Sequence, residues 1–128
     1  MRVRLEYGRE GLDAEMPDGR ATVLEARHAP GLANEAEAIR AALRAPLGAP
    51  PLSESVRAAE RVAIVFPDIT RPMPRERVLS VLLEEISHVP RQNITLINAV
   101  GTHRPNSAEE LERMLGREIV SAYRVVQH

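Results

Sequence analysis

Apolar residues alternate near the start of the chain, recur at helical spacing in the middle, and from residue 61 onward switch between the two periods. "RVRLEY" (2–7) places Val3 and Leu5 on one face and predicts a strand. In "MPDGRATVLEAR" (16–27) the Asp18-Gly19 pair predicts a turn, with a short strand over residues 22–26 after it. "NEAEAIRAALRA" (34–45) predicts a helix with Asn34 as N-cap, Glu37 three residues on, and a stripe of Ile39, Ala42 and Leu43. "PLGAPPLSES" (46–55) is rich in Pro and Gly and predicts a connector. "RVAIVF" (61–66) is a continuous β-branched run, as expected of a buried parallel strand. "PRERVLSVLLEEIS" (74–87) predicts a helix with Pro74 in its first turn and Val78, Val81, Leu82 and Ile86 on one face. "NITLINAV" (93–100) predicts a second strand. "SAEELERMLG" (107–116) predicts a helix opened by a Ser107–Glu110 capping box and stopped by Gly116. "YRVVQH" (123–128) predicts a third strand.

The order strand, helix, strand, helix, strand predicts an α/β fold: a partial parallel β-α-β-α-β sheet with Rossmann-like layers, preceded by a short N-terminal β segment and a helix. The expected organisation is one folding unit: residues 1–45 as β segment plus helix, 46–60 as connector, and 61–128 as core. The last strand stops at His128, where a new loop would begin, so we expect a fragment of a longer domain.

Composition narrows the function classes. With 128 residues the chain can bury a real core, yet it holds no Trp, one Phe and two Tyr. Stacking platforms for bases are missing, and a net charge of -1 gives no electrostatic reason to expect nucleic acid or an anionic membrane as partner. There is no cysteine, which excludes disulfides, thiolate zinc sites and cysteine nucleophiles, and fits a cytoplasmic protein. No apolar run approaches the length of a membrane span. All 17 basic residues are Arg, so no lysine-linked cofactor can sit in this chain.

Candidate chemistry lies on the loops after the first two parallel strands, where open α/β sheets carry their sites. "FPDITRPMP" (66–74) and "VGTHRPNS" (100–107) each combine a Thr with Arg-Pro. Side by side, they bring Asp68, Thr70, Arg71, Thr102, His103 and Arg104 together. Gly101 permits a sharp turn, and Pro72 and Pro105 stiffen the loops. Arg71 and Arg104 can clamp a carboxylate or phosphate, helped by the helix N-termini that follow. His103 is the side chain suited to proton transfer near neutrality, and Asp68 can bind a hydroxyl, orient an Arg or act as a base. Plainer roles compete: Asp68 as a turn cap, the arginines as surface ion pairs, His103 as a solvated loop residue. The four His, at 28, 88, 103 and 128, show no close metal-ligand spacing, and no Walker loop or G-x-G-x-x-G is present.

"DITRPMP" (68–74), "GTHRPNSAEELERMLG" (101–116), "YRVVQH" and the opening "VRLEYG" (3–8) together resemble the N-terminal domain of the nickel-pincer lactate racemase family. The resemblance spans essentially the whole chain. It implies an isomerase that inverts a 2-hydroxy acid such as lactate, using a nickel pyridinium-3,5-bisthiocarboxylate mononucleotide. By matching motif positions it implies His103 as one of two general acid/base histidines. Asp68 and Arg71 match catalytic positions of the first loop, with Arg71 orienting the substrate carboxylate. Thr70, Thr102 and Arg104 match supporting positions toward the cofactor. The second histidine, the cofactor-linking lysine and the nickel-ligating histidine would lie in the rest of the polypeptide. No metal ligand is therefore expected here, and the chain alone is expected to bind no pincer and to be inactive. A non-catalytic anion- or nucleotide-binding module is the alternative. A third is an assembly subunit whose exposed sheet edge at the last strand pairs with a partner chain, as in a homo-oligomer.

Overall fold

The computed structural model describes all residues, Met1–His128, which form two units, Met1–Gly31 and Leu32–His128. The first unit is an antiparallel hairpin of β1 (Arg2–Leu5) and β2 (Leu12–Glu15), with Arg2 opposite Glu15 and Leu5 opposite Leu12. Its turn is the stretch Tyr7–Gly11, where Gly8 and Gly11 take φ 59 and 71 and the Gly11 N–H donates to Tyr7 O. Asp13 receives both Arg2 and Arg4, at 2.6 and 3.2 Å.

The strand expected over residues 22–26 does not form. The register explains it. The Met16 N–H already donates to Met1 O, so β1 has no residue left to pair with anything beyond Pro17. The Asp18-Gly19 turn is present, with Gly19 at φ 70, but it leads into irregular chain.

The second unit contains α1 (Glu35–Arg44), α2 (Leu52–Ser55), β3 (Val62–Pro67), α3 (Arg75–Glu85), β4 (Ile94–Ala99), α4 (Ala108–Leu115), α5 (Arg117–Ala122) and β5 (Arg124–Gln127). The sheet order is β3-β4-β5, all parallel, with Val65 beside Ile97 and Ile97 beside Val126. This is the expected α/β arrangement. Two short helices, α2 within the connector and α5 after Gly116, were not expected. Gly116, at φ 83, ends α4 and at once starts α5.

Helix starts follow the sequence signals. The Asn34 side chain accepts from Glu37 N at 3.1 Å. Ser107 and Glu110 cap each other's backbone N–H groups, at 3.2 and 2.8 Å. On α3, however, the residues facing the sheet are Leu79, Leu83 and Ile86, with Leu82 at the margin. Val81 is buried but lies outside this cluster, and Val78 is half-buried. The apolar stripe is therefore wider than the expected Val78, Val81, Leu82 and Ile86, because α3 is covered on two sides. The sheet lies on one side and α1 on the other. Arg40 and Arg44 of α1 bind Glu84 and Glu85 at 2.8–3.5 Å, and Arg77 binds Glu35 at 2.6 Å.

Phe66, Ile94 and Leu96 of the sheet meet Leu79, Leu83, Ile86, Met114, Leu115 and Ile119 of the helices in one core. Only this face of the sheet is covered. Ala63 and Ala99 on the other face are exposed, and Val65 keeps 64% of its surface in solvent. The parallel strand expected over residues 61–66 forms, but it is buried on one face: alternate residues of β3 point away from the helices. No helix is long and apolar enough to cross a membrane.

Candidate active site

The loops that leave the carboxyl ends of β3 and β4 lie side by side, because those strands are neighbours with Pro67 beside Ala99. They form a cleft of about 450 Å³ lined by Val65, Pro67, Asp68, Arg71, Thr102 and His103, among others. A larger groove of about 630 Å³ opens at the opposite end of the sheet, around Ile94, Glu118 and Tyr123, and contains no histidine.

Asp68 is the centre of the cleft's polar structure. It is 4% exposed, and both carboxylate oxygens are occupied. Oδ1 accepts from Thr70 Oγ1 at 2.7 Å and from Thr70 N at 3.3 Å. Oδ2 lies 2.7 Å from His103 Nδ1. The bond from His103, then that from the Thr70 hydroxyl, holds the Asp68 carboxyl below the usual carboxylate range. An ionised carboxylate only accepts hydrogen bonds, so His103 Nδ1 carries the proton and Nε2 is left to exchange one. Asp68 therefore caps a turn and orients the imidazole at once, one oxygen for each task. The turn cap weighed on sequence is present, and the orienting of His103 is a second role that the sequence did not suggest.

The second loop is shaped to deliver the imidazole. Gly101 takes φ 57 with nothing near the place of a Cβ, so glycine is needed here for its backbone and not for space. The N–H groups of Val100 and Gly101 donate to His128 O, and His103 N donates to Val100 O. Below the loop, Asn106 Nδ2 donates to Asn98 Oδ1 at 2.9 Å, and Asn106 and Gln127 exchange two bonds of 2.7 and 3.0 Å. Asn106 Oδ1 also accepts from Ile69 N, which ties the second loop to the first. Asn98 is fully buried, and its Nδ2 has no partner in the chain.

The other expected residues divide. Arg71 and Thr102 are exposed and line the cleft, and Arg71 takes part in none of the ion pairs of the chain. Arg104 turns away to Glu110, with two bonds of 2.8 Å, so its fork is spent on the first turn of α4. His88 Nε2 lies 2.7 Å from Val56 O and serves the connector. Sequence reasoning missed Arg75, Asn98, Asn106 and Gln127. Asn98 could have been noticed as a polar residue at a core-facing position of β4.

The family described as lactate racemase N-terminal domain matches residues 7–128. The chain belongs to this family. It is 33% identical over 96 residues to the lactate racemase of Lactiplantibacillus plantarum, covering 74% of this chain and 23% of that protein. It is 27% identical over 130 aligned positions to the lactate racemase of Thermoanaerobacterium thermosaccharolyticum, covering 98% of this chain and 30% of that protein. The structure of the lactate racemase apoprotein from the latter organism matches with a TM-score of 0.78 at 25% identity, over 100% of this chain and 30% of the other. The chain thus spans 23–30% of the length of these relatives.

Proposed function

We propose that this domain supplies one acid/base half-site of a lactate-racemase-type isomerase acting on a 2-hydroxy acid. In this reading His103 Nε2 moves the proton of the substrate hydroxyl. Asp68 fixes the imidazole's tautomer and steadies its charged form, and Arg71 binds the substrate carboxylate. Thr70 sets the Asp68 carboxylate, and Thr102 borders the cleft. Arg104 supports α4 and so bears on the site only indirectly. The observation that carries the reading is the Asp68–His103 bond of 2.7 Å at the mouth of the cleft, beside an arginine with no carboxylate partner.

The residues present fit anion binding and proton transfer better than they fit a metal-held cofactor. No group of three or more His, Asp or Glu stands close enough to hold a metal ion, and the chain has no lysine for a covalent link. The nickel pincer that the family resemblance implies would need donors from outside these residues. Alone, the domain is proposed to be inactive.

The partner proposed for it is further polypeptide of racemase length. Parallel sheets in α/β proteins are covered on both faces, and here the row Val65, Ile97 and Val126 has helices on neither its side nor its edge at β5. The greater length of the relatives supports that choice of occupant. Light scattering of the isolated domain tests it: a monomer that binds a separately produced downstream racemase segment supports it, and a stable homodimer that hides Val65 contradicts it.

The functional test is chiral chromatography of 2-hydroxy acids incubated with the native gene product. Interconversion of the two enantiomers supports the isomerase reading. Tight phosphate binding without interconversion would instead favour a non-catalytic anion-binding module.

A further inference from the structure

The first loop is short of hydrogen-bond donors. Between Phe66 and Arg75 stand Pro67, Pro72 and Pro74, each of which brings a carbonyl and no N–H. The carbonyls of Asp68, Arg71 and Met73 each accept one backbone N–H, from Arg71, Met73 and Arg75, which leaves each a second lone pair for a side-chain donor. The next residue, Arg75, is the first of α3, and it is 6% exposed although charged. It joins none of the ion pairs of the chain. The positive end of the helix dipole also opposes a cation at that place. Charge pairing therefore does not explain why it is buried.

Its hydrogen bonds do. Nε donates to Pro67 O at 2.9 Å, and Nη1 donates to Met73 O at 3.2 Å. Nη2 donates to Arg71 O at 2.6 Å and also to Asp68 O. One planar fork thus gathers four carbonyls from a stretch of seven residues. Two of them belong to Asp68 and Arg71, whose side chains face the cleft.

We propose that Arg75 is a positioning residue of the candidate active site: its buried guanidinium pins the Pro67–Met73 loop so that Asp68 meets His103 and Arg71 lines the cleft. Its catalytic meaning rests on the isomerase reading above, whereas its geometry does not. Lysine would keep the charge but offer three donors from one atom, which cannot span carbonyls spread around a fork.

The test uses the 128-residue chain, isotopically labelled for NMR. In the unsubstituted protein, the Arg75 Nε–H should exchange with solvent at least about tenfold more slowly than the exposed Arg71 Nε–H, the factor that one net hydrogen bond supplies. Equal rates would overturn the proposal, and this measurement needs no variant that must fold. Next come Arg75→Lys and Arg75→Gln, with the β3, β4 and β5 amides as the check that the sheet persists. In both, the Asp68 carboxyl should titrate closer to the ordinary carboxylate range, and the His103 ring should lose its single Nδ1–H tautomer. A folded Arg75→Lys or Arg75→Gln with the Asp68 midpoint and the tautomer both unchanged would overturn the proposal. None of these readouts depends on turnover. An intact Asp68–His103 couple in an inactive native enzyme would therefore defeat the isomerase reading and leave Arg75's role standing.

Discussion

Replacing Asp68 by Asn probes the couple with the smallest change of shape. Asp68 accepts three hydrogen bonds on two oxygens: two from Thr70 on Oδ1 and one from His103 on Oδ2. Asparagine has one oxygen. The Thr70 side of the group presents two donors and the His103 side one, so the amide oxygen should stay with Thr70 and the NH₂ should face the ring. His103 Nδ1 must then accept, and its proton moves to Nε2, the atom assigned to receive one from substrate. The tautomer is inverted while the fold is kept. In a native enzyme, turnover should fall by about 10²- to 10⁴-fold, the range spanned by loss of an acid/base group and by tautomer inversion in a comparable Asp–His pair. The assay is twofold: ¹⁵N shifts of the His103 ring in the domain, and enantiomer interconversion by the native gene product. A ring that keeps Nδ1–H in Asp68→Asn, or a loss of less than about threefold in turnover, would refute the reasoning, since a general acid/base step is worth far more.

Leu96→Ala should cost about 2–5 kcal/mol of stability, because Leu96 is fully buried at the centre of β4. Val65→Ala on the exposed face should cost under about 1 kcal/mol in the isolated domain, and equal costs in denaturant titrations would show that the covered face has been misassigned. Glu110, held by Arg104 and then by the Ser107 N–H, has its carboxyl pulled down to about 2. A lowered carboxyl stabilises the fold above its ordinary value near 4.5 and loses that contribution as pH falls toward about 2. Protection of the first-turn amides of α4 should therefore decline across that window in the native sequence and stay flatter in Glu110→Gln, and parallel curves by hydrogen exchange would contradict it.

What could be read from the sequence was what local chemistry controls. The three parallel strands and helices α1, α3 and α4 carry their own periods and caps, and Asn34, Ser107 and Gly116 act at the positions their side chains or backbone favour. The two loops followed from strand order alone, and with them the meeting of Asp68, Thr70 and His103. What failed depended on partners distant in sequence. The missing strand at 22–26 depends on where β1 runs out, which no local signal records. The inner face of α3 depends on α1 lying against it. Arg104 looked as available as Arg71, and only the fold of α4 gives it Glu110. Arg75 looked like any helix-surface arginine, although the proline count just before it was a sign that donors would be needed.

The measurement closest to the central claim is enantiomer interconversion of a 2-hydroxy acid by the native gene product and by its His103→Gln variant, side by side. Proton transfer at His103 requires activity in the first and a loss of about a hundredfold or more in the second. Near-equal turnover would remove His103 from the chemistry, and no interconversion by the unsubstituted product would contradict the isomerase assignment itself.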